Sequence, residues 1–309
     1  MLAGIEETLQ RSEEESRKEM SAAEALLSRI VDYAGLFPPA SLDMEAAVRN
    51  YQQYLRGDYA WMLGNFVLPA SRLTEFGEAF NIICCGEQEQ PWTLSVVCSG
   101  DYPPADLKAM EDFQEGAAFI AGVEFKPVHL RNAQMILAAL PRGRPHYVEL
   151  PPDQAGGLLP AIASSGARAK LRTGGVTPEA IPPSKTVARF LLQCAEAHSA
   201  FKATAGLHHA VRGERRLTYD PGDPVAPMHG FLNVFLAAAL AFYGTTEFGL
   251  LDTLNETDPT AFQLDGMIAW HDHRMTSDQI ERVRADFAIG FGSCSFTEPI
   301  DDLKAMGWL

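Results

Sequence analysis

Ala167-Arg168-Ala169-Lys170-Leu171-Arg172-Thr173-Gly174-Gly175 and Phe201-Lys202-Ala203-Thr204-Ala205-Gly206 flank a segment of helical period, Ser184 to Ala197. Each quoted run is β-prone for four to six residues and then breaks at glycine. A strand, a turn, a helix and a second strand in this order predict two parallel neighbours joined by a crossover helix.

The same alternation extends outward in both directions. Upstream, strands are expected at Ile30–Phe37, Trp61–Leu68, Thr93–Cys98, Phe119–Phe125 and Tyr147–Leu150. Helices are expected between them, near Asp43–Leu55, Ser71–Phe80 with Ser71 as N-cap, Asp106–Phe113, Arg131–Leu140 and Gln154–Ser164. Downstream, an eighth strand at Phe287–Phe291 closes on Gly292-Ser293, and a last helix covers Pro299–Met306. Eight β-α units predict an α/β fold, a (β/α)8 TIM barrel, as a single domain over residues 1–309. Two additions stand outside the repeat. Residues 1–31 read as a charged N-terminal helix. Residues 210–286 are too long for one loop and one helix. That stretch reads as an insertion with an apolar helix (Met228–Tyr243), a second helix (Thr246–Asn255), a hairpin (Phe262–His271) and the barrel helix Ser277–Asp286.

Composition narrows the function. The chain has 309 residues, 47% of them hydrophobic, enough for a large core. A net charge of −15 excludes a basic footprint for nucleic acid and repels anionic membranes. The expected partner is a small molecule. Five cysteines, an odd number without a CxxC pair, imply a reducing compartment and a cytoplasmic protein. No signal peptide is expected, and the most apolar run, Phe231 to Tyr243, is too short to span a bilayer. Its apolar load fits a core helix or a subunit contact in a homo-oligomer.

Barrel chemistry gathers at the C-terminal ends of the strands. Polar residues expected there are Glu124, Lys126, Glu149, Lys170, Arg172, Lys202, Thr204, His208 and His209. Alternation puts Lys170 with Arg172, and Lys202 with Thr204, on one face of each strand. Facing inward costs less than burying both cations under helices. A lysine beside other cations in a partly apolar pocket suits Schiff-base chemistry. The alternative is a structural network in which these cations pair with Glu124 and Glu149. Thr173-Gly174-Gly175, Ala205-Gly206 and Gly290-Phe291-Gly292-Ser293 end adjacent strands, where backbone N–H groups can approach an anion.

These residues resemble the deoxyribose-phosphate aldolase family of class I aldolase barrels. Lys170-Leu171-Arg172-Thr173-Gly174 is similar to its Lys-x-x-Thr-Gly signature, and Phe201-Lys202 is similar to the context of its second lysine, with the two lysines 32 residues apart (170 to 202). The resemblance implies that Lys170 forms the Schiff base, that Lys202 keeps it partly neutral, and that Glu124 moves protons. It also implies that Asp32 belongs to the site. Arg172, Thr173, Gly174, Gly175, Thr204, Gly206, His208, Gly290, Gly292 and Ser293 would bind substrate or its phosphate, with no cofactor and no metal. Four features depart from the family: Arg172 inside the signature, Glu124 in place of aspartate, His208-His209 in place of an Arg/Thr turn, and the 210–286 insertion. Two other readings stay open. One is a metal-assisted isomerase or hydrolase using Glu124, Glu149 and histidines among His208, His209, His229, His271 and His273. The other is an inactive barrel that binds a metabolite. Cys294 is read as packing, and Tyr33 to Pro39 as a wall of the pocket.

Overall fold

A computed structural model describes residues 21–84, 90–99, 104–114, 116–127, 130–139, 143–264 and 266–309. Eight parallel strands close on themselves: β1 (Val31–Tyr33), β2 (Leu63–Pro69), β3 (Trp92–Cys98), β4 (Ala118–Phe125), β5 (His146–Glu149), β6 (Arg168–Arg172), β7 (Phe201–Thr204) and, after the insertion, β13 (Ala288–Ser293). β1 pairs with both β2 and β13, which completes the barrel. The fold is therefore a (β/α)8 TIM barrel. Helices alternate with the strands because each intervening segment buries one apolar face. In Met44–Leu55 the buried residues are Met44, Ala47, Val48 and Tyr51, at helical spacing, and Asp43 caps the first turn through Ala46 N–H.

Several boundaries differ from the sequence reading. Ser71 is not an N-cap: Ala70–Arg72 forms a 3-10 turn, and the α-helix Leu73–Ile83 starts after Arg72 without a side-chain cap. β1 is short, since the chain turns after Tyr33. β13 runs through Gly292 and Ser293 instead of ending before them. Of the expected N-terminal helix 1–31, residues 1–20 lie outside the described residues, as does Cys85; Ala22–Leu27 is helical, with a capping box between Ser21 and Glu24.

The segment 210–286 holds more strand than expected. A hairpin, β8 (Gly213–Arg216) with β9 (Val225–Met228), precedes the apolar helix, which runs Phe231–Phe242. The expected hairpin at Phe262–His271 is a three-stranded meander, β10 (Phe262–Leu264), β11 (Ile268–Trp270) and β12 (His273–Met275). The helices Glu247–Asn255 and Ser277–Asp286 lie on either side of that meander in the chain. Phe231 through Ala241 are all buried within this one chain. A helix apolar on every side packs inside a core, so this one leaves no free face for a subunit contact. Among the described residues no helix is long and apolar enough to cross a membrane.

Strand register sets the interior. Glu149 lies beside Lys170, Lys170 beside Lys202, and Arg172 beside Thr204. Gly292 of β13 lies beside both Thr204 and Asp32. Adjacent partners in a parallel ladder point the same way, so these side chains enter the barrel together.

Candidate functional site

A chain of alternating charges runs through the barrel interior. At its lower end Asp32 Oδ1 accepts from the Asn65 backbone N–H at 2.5 Å, and Asp32 Oδ2 contacts Lys202 Nζ at 2.5 Å. Lys202 also bonds Glu124 Oε1. Glu124 Oε2 is 2.8 Å from Lys170 Nζ, and Lys170 reaches Glu149 Oε2 at 3.1 Å. Glu149 Oε1 then accepts from Arg172 Nε at 2.9 Å. Asp32, Glu124, Glu149, Lys170 and Lys202 are all buried, while Arg172 reaches the surface. Buried charges in this number persist only when each is paired; here three carboxylates face Lys202, Lys170 and Arg172, and the exposed Lys126 adds a fourth cation 3.7 Å from Glu149 Oε1.

The pairing fixes protonation. Burial works against the Glu124 carboxylate, but Lys170 and Lys202 overcome it and hold its pKa well below the usual carboxylate range. Glu149 is lowered in the same manner, against burial, by Lys170 and Arg172. Burial would release the Lys202 proton, yet Asp32 and Glu124 more than reverse this and raise its pKa. Lys202 is therefore a fixed ammonium. It does not meet Lys170 as a bare like charge, because Glu124 gives one oxygen to each. Ser95 Oγ donates to Glu124 Oε1 at 2.6 Å and completes its shell.

Above this chain, at the C-terminal ends of the strands, lies a cavity of about 410 Å³. Glu124, Glu149, Lys170, Arg172 and Lys202 form its charged floor and side. Ala34, Phe37, Pro38, Val67 and Val97 form an apolar wall, in part the wall expected of Tyr33 to Pro39.

The expected binding residues divide into three groups. Arg172, Gly175, Thr204, His208 and Gly292 line the cavity. Thr173, Gly174, Gly206 and Ser293 do not. The Thr173 hydroxyl is spent on the Ala205 carbonyl. Gly174 and Gly206 pack backbone to backbone: a Cβ on Gly206 would sit 2.8 Å from the Gly174 Cα, and Gly206 has φ +79°. These glycines thus seat the loops after β6 and β7 against each other. Ser293 Oγ turns to His208 Nδ1 at 3.1 Å. Gly290 is at the opposite end of the barrel, beside Ile289 and Arg284. Asp32 is also placed away from the upper cavity, below Lys202.

Of the histidines, His208 lines the cavity. His209 faces Asp302 at 3.2 Å, and His271 pairs with Glu256 at 3.0 Å. His273 stacks on Trp270. His229 is buried between the Pro182 carbonyl (2.8 Å) and Arg212 (3.2 Å), and burial lowers its pKa to about 4. Among the described residues no three of His, Cys, Asp and Glu gather as a metal-holding cluster.

The sequence reading missed several partners. Ser95 was a visible signal, a polar residue between Leu94 and Val96 and on the same strand face as Thr93. Glu298 was visible as the fourth residue of Ser295-Phe296-Thr297-Glu298, a capping-box pattern. Its carboxylate instead lies 3.3 Å from His208 Nδ1. Cys294, read as packing, lines the cavity, and its Sγ is 3.9 Å from the same nitrogen. Burial depresses the His208 pKa, but Cys294 and Glu298 outweigh it and raise it from 6.5 to about 9. A raised histidine stabilises the fold fully below its unfolded value and loses that contribution as pH rises through its folded value. Thermal unfolding should therefore show stability falling between pH 6.5 and 9. Glu298→Gln should flatten that fall, and an unchanged profile would remove His208 as its cause.

The fold and site define a (β/α)8 barrel whose interior carries a buried, paired lysine couple at the floor of its upper cavity. No protein-family model and no curated protein matches the chain. A solved structure to which it is similar is the deoxyribose phosphate aldolase of Aeropyrum pernix, described as having a unique tetrameric structure. The two share 15% identity with a TM-score of 0.40, over 61% of this chain and 80% of that one. The likeness is distant, and the barrel itself rests on the strand pairing described above.

Proposed function

We propose that this chain is a class I, Schiff-base aldolase-like lyase acting on a small anionic carbonyl compound. The observation that carries this reading is the position of Lys170 Nζ, at the wall of a 410 Å³ cavity and 2.8 Å from Glu124. In this reading the Lys170 amine, after losing a proton to water in the cavity, adds to the substrate carbonyl carbon. The carbinolamine loses water to give an iminium. A water takes the proton of the β-hydroxyl as the Cα–Cβ bond breaks; the electron pair of that bond enters the iminium, leaving an enamine and releasing an aldehyde. Protonation of the enamine carbon and hydrolysis then free the second product and the amine. Lys202 holds Glu124 in place from the opposite side. Arg172 and the half-buried Thr204 stand at the cavity rim, where they would hold an acidic or phosphate group. A cavity of this volume suits a small metabolite.

A second reading, binding without turnover, draws support from the two carboxylates already in contact with Lys170. A cleavage assay separates the two. The protein would be offered small β-hydroxy carbonyl compounds bearing carboxylate or phosphate, with and without borohydride. The lyase reading expects aldehyde release, and irreversible inactivation by borohydride only while a substrate is present. Saturable binding with neither effect supports the second reading.

A further inference from the structure

TIM-barrel interiors are ordinarily filled by layers of branched apolar side chains, and the N-terminal end serves stability. Here that end holds a pocket of about 160 Å³, with the exposed Arg29 at its edge. At about 30 Å³ per molecule it has room for about five waters. Gly64 and Gly290 line it, and at both the neighbouring element approaches too closely for a side chain. A Cβ on Gly64 would lie 2.1 Å from Asp32 Oδ1, and one on Gly290 would lie 2.9 Å from the Ile30 carbonyl oxygen. Its polar lining is Arg29, Asp32, Asn65, Tyr147, Lys202 and Arg284.

The charges around this space do not balance. Lys202 is balanced by Asp32 and Glu124, but two further cations, Arg29 and Arg284, face this space, whose one carboxylate, Asp32, is already engaged by Lys202 Nζ and by Asn65. Neither Arg29 nor Arg284 makes an ion pair among the described residues. The terminal nitrogens of Arg284 donate to backbone carbonyls of Ser28, Ala288 and Ile289, which offer only partial charge. Its Nε is buried with no hydrogen-bond partner. Burial lowers its pKa to about 10, with Asp32 opposing the change. Lys202 has a third N–H beyond those used by Asp32 and Glu124. The buried Arg284 charge is met only by backbone dipoles and by the Phe235 ring face, 5.4 Å from its Cζ, and guanidinium groups recognise oxyanions in particular.

We propose that the N-terminal end of the barrel is a binding site for a small oxyanion of the inorganic phosphate class, held by Arg29, Arg284 and Lys202. Lys202 lines this cavity and the upper one. Occupancy below therefore touches the same ammonium that anchors Glu124.

Titration calorimetry with inorganic phosphate tests this on the full chain. Arg172→Gln serves as background, because it weakens anion binding in the upper cavity. That variant should retain one saturable phosphate site. Adding Arg29→Gln, a change at an exposed residue, should weaken that site about tenfold or more, the effect of losing one charged hydrogen bond. Arg284→Met should do the same, although it also removes the ties to Ser28, Ala288 and Ile289. The proposal is overturned if the Arg172→Gln protein shows no saturable phosphate binding, or if Arg29→Gln leaves that binding unchanged.

Discussion

Lys202→Met is expected to cost the fold on the order of 3–5 kcal/mol, the usual result of removing one partner from a buried ion pair. The side chain is 2% exposed, and methionine fills nearly the same volume. What it cannot supply is charge. Asp32 and Glu124 would then be left buried, with Lys170 alone facing Glu124. Chemical denaturation at neutral pH measures the loss. The pH dependence also has a defined sign. In the native protein Glu124 is lowered, so it adds stability above its unfolded pKa that is lost as pH falls. Without Lys202 that contribution shrinks, and the deficit of the variant should narrow on acidification. Adding Glu124→Gln should recover part of the loss, because the two residues are in contact and their effects do not add. A loss under about 1 kcal/mol at neutral pH would show that the ladder of charges does not hold the interior together.

Lys170→Arg is expected to separate chemistry from structure. Arginine keeps a positive charge between Glu124 and Glu149, so stability should change by only about 1 kcal/mol. Its guanidinium stays protonated and cannot act as the amine nucleophile. Under the lyase reading turnover should fall by more than about 10³-fold. Retained turnover would mean that the cleavage does not pass through Lys170. A large loss of stability would instead assign Lys170 a purely structural part.

The barrel was legible because its strands and helices have different periods. The runs around Lys170 and Lys202 alternate with a helix whose buried residues, among them Val187, Leu191 and Cys194, repeat at helical spacing. The inward face was legible too, since a spacing of two joins Lys170 to Arg172 and the cost of burying cations points them inward. What the chain does with that face was less visible. Periodicity gives a face, not a height along the barrel axis. Asp32 and Gly290 therefore fall at the lower end, and Thr173, Gly174 and Gly206 go to packing two loops together. Glu298 joins His208 across many residues of sequence, and no local pattern reports a contact of that range. The same holds for the lower cavity, where Gly64, Gly290 and Arg284 meet from separate elements. The apolar helix Phe231–Phe242 was open to either of two readings, core or interface, because an all-round apolar surface fits both. Tertiary packing decides for the core.

A Schiff-base lyase requires that the Lys170 amine bond covalently to a carbonyl carbon. Borohydride reduction in the presence of small carbonyl compounds, followed by digestion and mass spectrometry, tests it directly. A substrate-sized mass is expected at Lys170, present in the native protein and absent in Lys170→Arg. Folded protein that gives no adduct across aldehydes, ketones and sugar phosphates, or gives one at another lysine, would contradict it.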